Sequence, residues 1–259
     1  MLLISGVYLF FGPRLFDSRL DNDPYREWMM HKREPSVSVI SVWHIVYFKP
    51  YVGSLGNWLS ESAKRFSKSF IGIHFEVISY TPEEAEERMK AGVFPDVISF
   101  ADERIDESML ESAKLPYCAS GKVLLYDPAK AGDKSIEELK LAAGSSDEFK
   151  KGKVCSCITD VRGAGDLSRA QLLGKAPYFE VEPLPEEGFM LQYVGIMTDV
   201  DEIKLPYARG FLEYLVSPAC QKLLSGIGLI PVDREIETDY DPEWLNALHE
   251  GFMAYNDHE

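Results

Sequence analysis

Polar and apolar positions alternate most regularly between residues 37 and 101. Three runs rich in β-branched residues, VSVISVWH, IGIHFEVISY and FPDVISFA, are separated by two amphipathic stretches, NWLSESAKRFSKSF and TPEEAEERMKAG. This alternation predicts βαβ units feeding a parallel sheet. In the second run Ile71, Ile73, Phe75 and Val77 alternate with His74 and Glu76, which places His74 on the strand surface. In the first helical stretch Leu59, Ala63, Phe66 and Phe70 form one stripe, Asn57 is the expected N-cap, and Trp58 packs the helix on the sheet. Thr81-Pro82-Glu83-Glu84 is a helix start: threonine caps, proline takes the first turn, and Glu84 completes a capping box. The carboxylates Glu83, Glu84, Glu86 and Glu87 then read as a solvated face that suits the helix dipole. In open parallel sheets ligands bind beyond the carboxyl ends of the strands, and these ends carry Trp43-His44, Tyr80 and Phe100-Ala101.

Beyond residue 101 the pattern is less regular. LPYCASGKVLLYD reads as an extended crossover into a second lobe, and the polar stretch 132–152 holds one short helical piece near 136–143. KVCSCITD is a predicted strand, followed by a turn at 160–165 and a helix over AGDLSRAQLLG. FEVEPLP suits a second crossover, LQYVGIMTD a strand, PYARGFLEYL an amphipathic helix, and GIGLIPV a further strand. Ser217-Pro218 and Asp241-Pro242-Glu243 each begin a helix. No internal repeat stands out.

Length and charge narrow the function classes. At 259 residues and 46% hydrophobic, the chain has room for one large domain or two small ones. A net charge of −15, with 27 basic against 42 acidic residues, argues against nucleic acid and against docking on anionic lipid. Cys118, Cys155, Cys157 and Cys220 have no zinc spacing. Cys155 and Cys157 are two apart in a predicted strand and read as small thiols without a bridge between them. The five histidines (His31, His44, His74, His249, His258) are scattered, and Gly163-Ala164-Gly165 lacks the rest of a phosphate-cradling pattern. No catalytic constellation, metal set or cofactor site is expected, and the chain reads as a non-enzyme. Residues 1–13 (MLLISGVYLFFGP) form an apolar signal or anchor remnant, shorter than the about 20 residues of a membrane span. Residues 14–36 are a mixed-charge linker.

The ordered pieces VSVISVWH…NWLSESAKRF, TPEEAEERMKAGVFPDVISFA, LPYCASGKVLLYD, FKKGKVCSCITD…DLSRAQ and ARGFLEYLVSPACQKLLSGIGLIPV together resemble the extracellular solute-binding proteins, family 1, of ABC importers. The resemblance spans residues 37–232 and rests on the order of several loose motifs. It implies a two-lobed α/β fold of the type II periplasmic-binding-protein kind, each lobe a mostly parallel sheet flanked by helices. Lobe one would be 37–115 and 186–228, lobe two 116–185 and 229–259. A small solute, most simply a carbohydrate, would lie in the cleft between them. The implied partners are that solute and the membrane permease subunits of an importer, with the protein a monomer, extracellular or on the cell surface, tethered by its apolar N-terminal segment. The chain departs from the family in an abbreviated stretch at 127–149, and the family's lipid-attachment cysteine is absent: Leu3-Ile4-Ser5-Gly6 leads to Val7.

An aromatic face over a sugar ring, with a few polar partners, is how such a cleft holds carbohydrate. Trp43, Tyr80, Phe100 and Tyr117 are the candidate platforms, and His44, Asp160, Arg162 and Gln192 the candidate polar contacts. For each aromatic the competing reading is core packing, and Asp160 and Arg162 have the alternative of pairing with each other. Two other functions compete with solute capture for import. One is an extracellular sensor or accessory module that reports occupancy to a membrane partner; the other is an enzyme on the same scaffold.

Overall fold

The computed structural model describes residues 38–101, 105–233, 235–238, 240 and 242–255. The expected N-terminal remnant (1–13) and linker (14–36) lie outside them. Among the described residues eight strands form one sheet in the order β2 (Ile73–Tyr80), β1 (Ser38–Ile45), β3 (Val97–Ala101), β7 (Phe189–Ile196), β4 (Leu115–Tyr126) and β5 (Ser156–Asp160), with β6 (Glu180–Pro183) and β8 (Ile230–Pro231) also pairing with β4.

The first half follows the hydrophobic pattern. β1 (Ser38–Ile45) leads through a loop into α1 (Leu55–Ser67), then β2 (Ile73–Tyr80), α2 (Pro82–Lys90) and β3 (Val97–Ala101). The cap of α1 is Ser54 and not Asn57: the Ser54 hydroxyl accepts the Asn57 N–H, so the helix starts earlier than expected. Thr81 and Glu84 make the capping box of α2 in both directions. β1 and β3 pair in parallel, with Trp43 opposite Ile98. At the carboxyl end of β1 the Val46 N–H donates to the Tyr80 carbonyl, 2.9 Å away. At the other end Asp96 accepts from the Ser41 N–H (2.7 Å), the Ser41 hydroxyl (3.0 Å) and the Lys204 ammonium (2.9 Å), which ties β1, β3 and a later helix together.

The second half departs from the expected parallel sheet. β4 (Leu115–Tyr126) pairs antiparallel with β7 (Phe189–Ile196) over 115–121, and with β6 (Glu180–Pro183) over 123–126. Its other antiparallel partners are β5 (Ser156–Asp160) and the two-residue β8 (Ile230–Pro231). β6 and β7 run back along β4 as one broken strand, after an excursion of the chain through β5 and the helices around it. β7 also pairs antiparallel with β3, which joins the parallel part of the sheet to β4.

Between β4 and β5 the abbreviated stretch forms three short helices, α3 (Pro128–Ala131), α4 (Ile136–Leu141) and α5 (Ser146–Lys150). The sequence pattern predicts only the middle one. The other two are too short to show a period, but each has a side-chain cap, Asp127 and Ser145. α6 (Val161–Leu172) begins directly after β5, so the expected turn at 160–165 is its N-cap and the start of the helix itself. α7 (Leu205–Leu215), α8 (Pro218–Gln221) and α9 (Trp244–Tyr255) complete the chain.

The core gathers around β4. One cluster draws on Ile40, Leu59, Phe75, Tyr117 and Cys118, and on Val194, Phe211 and Leu229. Another draws on Ala119, Val123, Phe149, Leu167, Ile230 and Leu248. The change from one to the other falls between Cys118 and Ala119 on β4, and between Leu229 and Ile230 before α9. Two smaller clusters, around Ile98 and Phe100 and around Leu124 and Leu139, cover further sheet surface. Burial on both faces is why the inner strands read as near-continuous apolar runs. Among the described residues no helix is long and apolar enough to cross a membrane.

Candidate functional site

Three of the residues singled out from the sequence meet at one serine. His44 on β1, Tyr117 on β4 and Gln192 on β7 all reach Ser99 on β3, and all four are buried. The Ser99 hydroxyl lies 3.1 Å from His44 Nδ1 and 2.9 Å from the Tyr117 hydroxyl. Gln192 Nε2 donates to it at 3.0 Å and to the Ile45 carbonyl at 3.3 Å. A serine hydroxyl has one hydrogen and two acceptor sites. The assignment in which Tyr117 and Gln192 donate to Ser99, and Ser99 donates to His44 Nδ1, uses all three capacities and leaves the tyrosine hydrogen paired. It requires a neutral His44, and burial lowers the pKa of His44 to about 4. Burial likewise raises the Tyr117 phenol well above its ordinary value. The first turn of α1 covers this cluster: a Cβ at Gly56 would stand 3.3 Å from the His44 ring.

The remaining candidates are spread along the strand ends. Trp43 is 4% exposed and meets Tyr80 edge to face, with ring centroids 5.0 Å apart. The Arg88 guanidinium covers the Tyr80 ring at 4.6 Å. Phe100 is fully buried against Tyr193. Tyr117 also stacks on Trp58, at 5.9 Å and 8° between planes, so Trp58 does pack α1 on the sheet. Asp160 caps α6, its carboxylate accepting the Gly163 N–H at 2.7 Å. Arg162 pairs with Asp166 one turn along, at 3.2 Å, rather than with Asp160. Trp43, His44, Phe100, Tyr117 and Gln192 are thus interior, while Tyr80, Asp160 and Arg162 are half-buried.

An open pocket of about 290 Å³ lies at the carboxyl ends of β1 and β2, lined by Ile45, Tyr47, Pro82, Glu86, Met89 and Ile105. Four of its six lining side chains are apolar, and the other two are a phenol and a carboxylate. None of these lining residues is a candidate from the sequence, although Ile45 and Tyr47 lie within three positions of His44 and Pro82 two beyond Tyr80. Ser99 also escapes a sequence reading. Its signal is a single hydroxyl in the apolar run VISF, at a position where a buried strand calls for a partner. A second open pocket, about 470 Å³, is lined by Ile236, Glu237, Thr238, Asn246, His249 and Glu250. There His249, on α9, bonds through Nδ1 to the Thr238 hydroxyl at 2.9 Å. All four cysteines are free, with Cys155 half-buried and the other three buried.

No protein-family model matches this chain, and no curated protein sequence matches it. Solved structures do resemble it. An ABC substrate-binding protein from Listeria monocytogenes, in complex with cycloalternan, is 13% identical with a TM-score of 0.56, over 83% of this chain and 86% of that one. A maltodextrin-binding protein from L. casei BL23, without ligand, is 11% identical with a TM-score of 0.55, over 84% and 85% of the two chains. Iron-bound HitA from Pseudomonas aeruginosa is 12% identical with a TM-score of 0.51, over 84% of this chain and 97% of that one. At such identities the likeness is one of fold: the chain has the mixed α/β architecture of the type II periplasmic-binding proteins.

Proposed function

We propose that this protein is a solute-binding protein that captures a small solute, with carbohydrate favoured, and presents it to the permease subunits of an ABC importer. The observation that carries the reading is the fold, shared over more than four-fifths of both chains with the maltodextrin-binding and cycloalternan-bound proteins. Its division at 118/119 and 229/230 supports two lobes close to the boundaries expected from the sequence. The solute would lie over the carboxyl ends of β1, β2 and β3, in the pocket bounded by Ile45 and Tyr47, with Tyr80 at its edge. Trp43 would act from beneath Tyr80. His44, Tyr117 and Gln192 would act through Ser99 by holding the strand ends in place, and Phe100 by filling the sheet below. Asp160 and Arg162, at the start of α6, would supply the facing wall. The resembled structures are binding proteins, which supports capture over catalysis; an extracellular, monomeric protein tethered through residues 1–13 belongs to the same reading.

A thermal-shift panel of sugars, oligosaccharides, amino acids and peptides tests it. A ligand that binds only the folded state stabilises by about 2.7 kcal/mol at a hundredfold excess over its Kd, and the shift grows with concentration. The expected outcome is such a shift with a sugar or oligosaccharide, accompanied by a change in tryptophan emission. If no solute class stabilises the fold, the binding reading fails. If Trp43→Ala binds as tightly as the parent, the placement of the solute on this wall fails.

A further inference from the structure

The loop between β1 and α1 leaves one hydrophobic cluster and packs on the other. Tyr51, at its centre, sits against the cluster that holds Val161, Leu245 and Leu248. Its ring meets Trp244, the first residue of α9, edge to face with centroids 5.7 Å apart. Two glycines make room for it. A Cβ at Gly165, in the second turn of α6, would stand 2.5 Å from the Tyr51 carbonyl oxygen and 3.0 Å from its ring. A Cβ at Gly228 would stand 2.5 Å from Tyr51 Cβ, and the φ of 70° there favours glycine independently. The next residue adds a backbone tie, with the Val52 N–H donating to the Ile227 carbonyl at 3.2 Å.

Tyr51 therefore touches α6 and the start of α9 on the far side of the division, and the turn at 227–229 on its own side. The paired strands β4 and β7 contribute to both clusters and so run between the halves. A rotation of the halves about them would draw Tyr51 away from Gly165 and Trp244. We propose that Tyr51 is an internal latch that holds the two halves in the arrangement seen here. Resting on the two-lobed binding reading above, the latch pre-organises the cleft: it raises the fraction of molecules already competent to bind, which sets the apparent affinity for whatever solute enters.

The test uses the full chain in the absence of solute. Small-angle scattering compares the parent with Tyr51→Ala and Gly165→Ala, both first shown to unfold cooperatively. The expected result is a larger radius of gyration in both variants, against the ~18 Å of a compact chain of this length. Tyr51→Ala should also shift tryptophan emission to the red as Trp244 loses its cover. A folded variant pair that scatters like the parent overturns the latch. Hydrogen exchange on the parent needs no variant: Val52 lies in an exposed loop, so a latched loop predicts slow exchange of its amide, and free-loop exchange overturns the proposal. Because none of these measurements involves a solute, their outcome is independent of the solute panel. A latch can stand with no solute found, and a solute can be found with the latch disproved.

Discussion

Ser99 has one hydrogen and two acceptor sites, and the cluster around it uses all three. Ser99→Ala removes the shared partner of three buried groups on three different strands, which should cost about 3 kcal/mol, since each unsatisfied buried polar group costs roughly 1–3 kcal/mol. Urea denaturation measures it, and a loss near that of a bare hydroxyl on an exposed strand would show that the cluster is idle. His44 adds a pH dependence. Its folded pKa of about 4 lies below the ordinary 6.5, so the unfolded chain binds the proton more tightly and protonation favours unfolding. The contribution of neutral His44 is therefore complete above pH 6.5 and is lost as pH falls toward 4, to a total of roughly 3 kcal/mol. Between those limits the parent should lose more stability than His44→Gln, measured by denaturant midpoints across the range. The residues of this cluster are legible in the sequence only one at a time. Histidine beside Trp43, tyrosine after Pro116 and glutamine in LQYVG each stand out as polar groups in apolar runs, but nothing local says that all three face the same hydroxyl.

Helix starts are where local chemistry and structure agree most closely. The Thr81–Glu84 box needs only four consecutive residues, so it is visible in the sequence and present in the fold. Ser135 with Glu138 and Ser145 with Glu148 obey the same rule in a stretch where polarity hides any period. Asp160 is both an N-cap and a candidate ligand contact. Its carboxylate is committed to the Gly163 N–H, so Asp160→Ala should cost about 1 kcal/mol of stability through the lost cap. Thermal unfolding with solute binding measured alongside separates the two roles: a loss of stability with unchanged affinity assigns Asp160 to the helix alone. Asp96 plays a comparable part between elements. It joins β1, β3 and the entrance to α7, and Asp96→Ala strands the Lys204 charge and two Ser41 donors, an expected loss of about 2–3 kcal/mol readable in the same unfolding experiment.

At the scale of the whole molecule, β4 decides the architecture. Six of its first seven residues pair with β7, the register skipping Tyr117, and its last five pair with β5; the change occurs at Gly121 and Lys122. A Cβ at Gly121 would lie 2.9 Å from Leu248 on α9 and 3.0 Å from Phe189 on β7. Gly121→Val should therefore push α9 off the sheet and cost about 1–3 kcal/mol by overpacking, with the loss of hydrogen-exchange protection concentrated in α9 and β6 as its signature. The sequence by itself determined the elements whose causes are local: the βαβ order of residues 38–101, the amphipathic faces of α1, α7 and α9, and the acidic balance that argues against nucleic acid. Periodicity and capping act over a few residues and leave their mark there. Tertiary structure alone decided the antiparallel return of β6 and β7 along β4, the meeting of His44, Tyr117 and Gln192 at Ser99, and the seating of Tyr51 between Gly165 and Gly228. Each of these joins segments dozens of residues apart or more, and the side chains carry no local record of which distant partner completes their hydrogen bonds or fills the space a glycine leaves.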